Sequence, residues 1–122
     1  MLGANRDTLE QAGRSVGAAR LKQAIAHIGR YFANPDLTIL SVAGAQDISP
    51  RYLQELFEQS GASFTARVNE LRLKRAFALL RRFPERPVSS IAQEAGFANV
   101  SHFNRLFRQR FGDSPSGVRG RA

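Results

Sequence analysis

"SSIAQEAGFANVSHFNRLFRQRFGDSP", residues 89–115, pairs a glycine with an aromatic residue, then sets apolar residues at helical spacing with arginines between them. Ser89 starts a short helix that reaches about Ala95, and Gly96 breaks it. Asn99 is a good N-cap for a second helix over about Val100–Phe111, which Gly112 ends; Pro115 opens a last short turn. Phe103, Leu106, Phe107 and Phe111 form one apolar stripe, and Ser101, Asn104, Arg105 and Arg108 lie opposite it. Such a polar face is either solvated or laid against something acidic. The stretch by itself does not choose.

A second copy earlier in the chain does. "SPRYLQELF" (49–57) aligns with "NVSHFNRLF" (99–107) at an offset of 50. The caps Ser49 and Asn99 coincide, as do Leu53 with Phe103, Leu56 with Leu106, and Phe57 with Phe107. Upstream, Val42-Ala43 matches Ile91-Ala92 at an offset of 49. Each unit reads as a short helix, a tight turn and a longer helix. The small residue, Ala43 or Ala92, lets the second helix cross close to the first. The sequence therefore predicts two helix-turn-helix units.

Outside the repeat the pattern is also helical. Residues 1–19 are rich in Gly, Ala and Ser and weakly periodic, so they read as a linker, a flexible N-terminal segment or a frayed helix. A first helix is expected at Arg20–Phe32, stopped by "ANPD" (33–36), and Thr38 caps a short one over Ile39–Gln46. Pro50–Ser60 follows Ser49, and Ser63 precedes a long helix over Phe64–Arg82 that "FPERP" terminates. No segment alternates with period two for long enough to argue a strand. The expected fold is all-α, with about seven helices: a first lobe at 20–62, a linker helix at 63–83 and a second lobe at 84–122.

Charge separates the halves. Residues 1–61 carry six basic and six acidic side chains, whereas 62–122 carry twelve basic and four acidic, which accounts for the whole net charge of +8. A basic surface confined to one half fits a polyanionic partner. There is no cysteine, so disulfides, cysteine-based zinc sites and thiol catalysis are excluded. The longest nearly apolar run, "ILSVAGA" (39–45), is too short to span a bilayer, and no apolar signal-peptide core is present. A cytoplasmic protein without membrane attachment is expected.

The residues carry a resemblance. Ile91-Ala92, Gly96-Phe97, Phe103, Phe107, Phe111-Gly112 and Ser114-Pro115 resemble the second helix-turn-helix signature of the AraC/XylS family of bacterial transcription regulators. "ISPRYLQELFEQSGASFTARVNELRLKRA" (48–76) resembles that family's first motif and linker helix. Val118 departs from the pattern, standing where the family usually has an aromatic residue; Glu55 departs by placing an acid on a helix expected to face DNA. The resemblance implies two lobes joined by a rigid helix, each putting its second helix into the major groove of double-stranded DNA. It also implies a role in transcription regulation, with activation and contact to RNA polymerase among the expectations. The family commonly carries an effector-sensing or dimerising domain before this module, and none is expected within this chain.

The length of the linker agrees with that geometry. Roughly 18 residues at about 1.5 Å each span about 27 Å, and major grooves on one DNA face recur about every 34 Å. The helix together with its flanking turns can bridge that distance, so a monomer able to read two grooves without dimerising is expected. Residues near the start of a recognition helix reach base edges, where Arg suits guanine, Asn and Gln suit adenine, and Glu suits a cytosine amino group. The candidates for base contact are Arg51, Gln54 and Glu55 in the first unit, with Ser101, Asn104 and Arg105 in the second. Arg108, one turn further on, and Lys74 and Arg75 on the linker helix are candidates for phosphate. Tyr52 and His102 occupy equivalent positions and suit either a phosphate contact or partial burial. His27 and His102, far apart and without acidic clusters, argue against a metal site. "EAGFAN" lacks the phosphate-loop patterns, and no nucleophile–base pair or cofactor loop is present, so no cofactor and no enzyme activity are expected. The alternative function is a helical protein-interaction module with a basic surface and no DNA sequence preference.

Overall fold

The computed structural model describes the backbone of residues 2–120 and the side chains of residues 6–120. In chain order its helices are α1 (Leu2–Tyr31), α2 (Ile39–Ala45), α3 (Pro50–Gln59), α4 (Phe64–Arg82), α5 (Val88–Glu94), α6 (Val100–Phe111) and α7 (Pro115–Arg119). No strand occurs among the described residues.

Two helix starts differ from the sequence reading, and the ends of α1, α2, α3 and α5 each fall one residue earlier than expected. The first helix starts at Leu2 rather than Arg20, so the stretch read as a linker, flexible segment or frayed helix is helical through its described residues. The physical reason is composition: the first proline is Pro35, and Ala, Leu, Gln and Arg are all good helix formers. The stretch lacks a buried face, since residues 6–16 are all exposed, and a helix without a core stripe leaves no periodicity to read. The other difference is at α5, which begins at Val88 with Pro87 at its N-cap, not at Ser89.

The chain divides into two compact units, residues 1–30 with 38–64, and residues 31–37 with 65–122. In the first, Ala24 and Ile28 of α1, Val42 and Ala43 of α2, and Leu53 and Phe57 of α3 are all buried. Phe57 meets the Phe64 ring edge-on at 5.8 Å. Arg20 and Gln46 fasten α1 to the end of α2: the Arg20 guanidinium donates to the Gln46 carbonyl at 3.3 Å, and the Gln46 amide donates back to the Arg20 carbonyl at 3.0 Å.

The second unit is held by Leu73, Ala76, Leu79 and Leu80 of α4 against Ile91, Ala92, Ala95, Phe97, Phe103, Phe107 and Val118. Phe97, Phe103, Phe107 and Phe111 form a run of touching rings, with centroids 5.0, 5.5 and 4.6 Å apart. Val118 is buried, so the smaller residue at this position still seals the last turn. Arg119 caps the end of α4, donating from Nη2 to the Phe83 carbonyl at 3.1 Å.

The repeat is visible in the turns. Ile48 N donates to the Ala43 carbonyl at 3.1 Å, and Phe97 N to the Ala92 carbonyl at 3.0 Å, the same bond 49 residues on. Each turn needs one residue at positive φ, and equivalent positions supply it: Asp47 at 55° and Gly96 at 112°. Asp tolerates the left-handed region, so the first turn manages without glycine. The second does not, because a Cβ on Gly96 would lie 2.7 Å from Arg72 Nε and 2.8 Å from the Phe32 carbonyl oxygen.

Candidate nucleic-acid interface

Each longer helix of the repeat begins with the same cap. The Ser49 hydroxyl accepts from Tyr52 N at 3.0 Å, and the Asn99 side-chain oxygen accepts from His102 N at 2.9 Å. The cap sets the first turn of the helix, and with it the direction of the residues that follow. Below the caps Leu53 and Phe57, or Phe103 and Phe107, are fully buried, which fixes which face points outward. On those outward faces Arg51, Gln54, Glu55, Ser101, Asn104, Arg105 and Arg108 are all exposed, as is Lys74 on α4.

Exposure does not make them equivalent. On α3, Arg51 Nε lies 3.5 Å from Glu55 Oε1, an ion pair between exposed side chains one turn apart. The acid at 55 therefore draws on the charge of Arg51. Glu55 also lines a groove between α1 and α3, shared with Glu10, Arg14 and Tyr52. α1 passes close to α3 at Gly17, where a Cβ would come within 3.0 Å of Leu56 Cδ2. Tyr52 is half-buried on the side that faces Gly17.

On α6 the outward face carries no acid. Arg105 Nη2 lies 2.8 Å from His102 Nδ1, so the imidazole steadies the guanidinium on the helix surface. His102 in turn meets the Phe97 ring edge-on at 6.5 Å. Arg108 follows Asn104 at one helical turn, and both line a concavity together with Ser89 and Ser116.

A group missed at the sequence level is Glu70 on α4. It accepts from Arg110 Nε and Nη2 at 2.9–3.1 Å in a bidentate pair, and Lys74 Nζ lies 3.8 Å away. The Arg110 hydrogen bonds hold the Glu70 carboxyl below its ordinary pKa, and the same contacts raise that of Arg110. Arg110 is thus directed to α4, and Lys74 shares its charge with an acid. No sequence pattern announces a pair 40 residues apart. Arg72 is also anchored: it donates from Nε to the Phe32 carbonyl at 2.7 Å and from Nη2 to the Asn34 carbonyl at 3.0 Å. Its partial burial pushes its pKa down.

Among the described residues no cluster of His, Asp and Glu is suited to a metal ion, and no helix is long and apolar enough to cross a membrane. Two capped, outward-facing helices on repeated helix-turn-helix units, the second free of acid along its outer face, define a DNA-binding helix-turn-helix protein.

The comparisons place it more closely. The sequence profile of a family described as "Helix-turn-helix domain" matches residues 42–121. The transcriptional activator RhrA of Rhizobium meliloti is 40% identical over 88 residues, 71% of this chain and 28% of that protein. The activator RhaS of Citrobacter koseri is 36% identical over 108 residues, 88% of this chain and 38% of that protein. Among solved structures, the C-terminal domain of AraT, a response regulator from Geobacillus stearothermophilus, superposes with a TM-score of 0.78 at 30% identity, covering 84% of this chain and 85% of that one. A probable AraC family transcriptional regulator from Rhodopseudomonas palustris gives 0.76 at 30% identity, covering 85% and 97%. The chain belongs to the AraC/XylS family and is a DNA-binding module of a transcription regulator. It spans about a third of the length of the relatives it matches.

Proposed function

We propose that this module reads a specific double-stranded DNA sequence by placing α3 and α6 in successive major grooves, and that it does so as a monomer. Arg51, Gln54, Ser101, Asn104 and Arg105 contact base edges; Glu55 is a weaker reader because its charge is spent on Arg51. Arg108 and Lys74 hold phosphates. The observation that carries this reading is the acid-free outer face of α6, where Ser101, Asn104, Arg105 and Arg108 all stand exposed on a helix fixed by its cap and two buried phenylalanines. The wider role is transcription activation in the cytoplasm, with RNA polymerase as a further partner and no catalysis; the similarity to the transcriptional activators RhrA and RhaS supports it.

Selection of bound duplexes from a random pool tests the reading. One enriched sequence with two half-sites about one helical turn apart is expected, bound far better than random duplex or RNA. Equal binding to all three would return the chain to the protein-interaction alternative.

A further inference from the structure

We propose that Val100 is a specificity-determining residue that reads the 5-methyl group of one thymine. Val100 is the first residue of α6, directly after the Asn99 cap. It is a large apolar side chain that is 38% exposed. The core of the second unit and the half-buried side chains packed on it do not include it; Phe103 and Phe107 follow it three and seven residues on, along the same side of the helix, and it stands as the exposed first turn of that side. Nor does it serve the helix, since a β-branched residue is a poorer helix former than alanine.

Its neighbours give it a context. Val100, Asn104 and Arg108 follow one another at four-residue spacing, and all three line one concavity with Ser89. An apolar group therefore heads a ridge of side chains suited to base edges and phosphate. In the major groove thymine alone of the four bases presents an apolar methyl group, and aliphatic side chains recognise it by contact. This assignment rests on α6 entering the major groove as proposed above. The recognition is of one methyl group, so its worth is that of one buried carbon, about a three- to fivefold change in affinity.

The experiment uses the whole chain and its selected duplex. Each thymine in the half-site bound by α6 is replaced in turn by uracil, which removes the methyl group and nothing else. The parent protein should lose about three- to fivefold at one thymine. Val100→Ala should bind the parent duplex with about that loss and show no further loss with uracil at the same position. Val100→Thr, which keeps one methyl and the same shape, should retain part of the discrimination. Circular dichroism checks that both variants remain folded, as expected for a half-exposed helix start. A Val100→Ala protein that still discriminates thymine from uracil overturns the assignment, as does a parent indifferent to every thymine methyl. If no duplex is enriched at all, the DNA-reading function fails together with this inference. A specific duplex without a methyl effect removes this inference alone.

Discussion

Arg105 and Lys74 carry the same charge in different surroundings. Arg105 stands on the outer face of α6, steadied by His102, within two turns of the cap. Lys74 lies on α4 with Glu70 beside it at 3.8 Å. Arg105→Ala should lose about 1–3 kcal/mol on the preferred duplex and flatten preference at one or two base pairs. Lys74→Ala should weaken all sequences about equally and reduce the salt slope by about one. Titrations against single-base variants of the duplex check both, and a uniform loss for Arg105→Ala would make it a backbone contact. Glu70 is a separate case. Its lowered pKa means that the pair with Arg110 contributes fully above the unfolded carboxylate value of about 4.3 and is lost as acid protonates the folded form. Glu70→Gln should therefore be less stable than the parent near neutrality, and the gap should narrow as the pH falls through Glu70's lowered value. A gap that stays constant into acid would show that the pair does not stabilise the fold.

At the scale of elements, the two fully buried phenylalanines of the repeat are the sharpest test. Phe57 and Phe107 are both wholly enclosed at equivalent points of α3 and α6. Phe107→Ala should cost about 3–5 kcal/mol and abolish specific binding, measured by thermal melting and by titration of the selected duplex. Normal melting and normal binding would mean that α6 does not depend on that ring. The repeat was legible from sequence because caps, stripe and turn all recur at one offset. The start of α4 and its end at Arg82 were legible too, since prolines fix the end. Leu73 of α4 is buried together with residues of α5 and α6, and such a tertiary neighbourhood is not written in the periodicity of α4 alone. The early part of α1 stayed hidden for the opposite reason, because residues 6–16 are all exposed. Among the candidate site residues, the outward faces followed from periodicity. The pairings Arg51–Glu55, Arg105–His102 and Arg110–Glu70 depend on rotamers and tertiary placement that periodicity does not encode.

For the molecule as a whole, the consequence of its charge is salt dependence. The excess of +8 sits entirely in residues 62–122, so binding to a polyanion should release counterions. With about six to eight phosphates contacted, log K should fall against log salt with a slope of about −5 to −7. Titrations across a range of salt concentrations measure it, and a slope near zero would be incompatible with DNA as the partner.

The paired turns have a bearing on how the two units tolerate change. Position 47 reaches positive φ with an aspartate, in the left-handed region where Asn and Gly are also at home. Position 96 has a φ of 112° and no room for even one carbon beside Arg72 and the Phe32 carbonyl. In a saturation-mutagenesis map the first turn should accept several letters and the second only one. A library that diversifies this module's DNA preference has freedom around residue 47 that it lacks around residue 96.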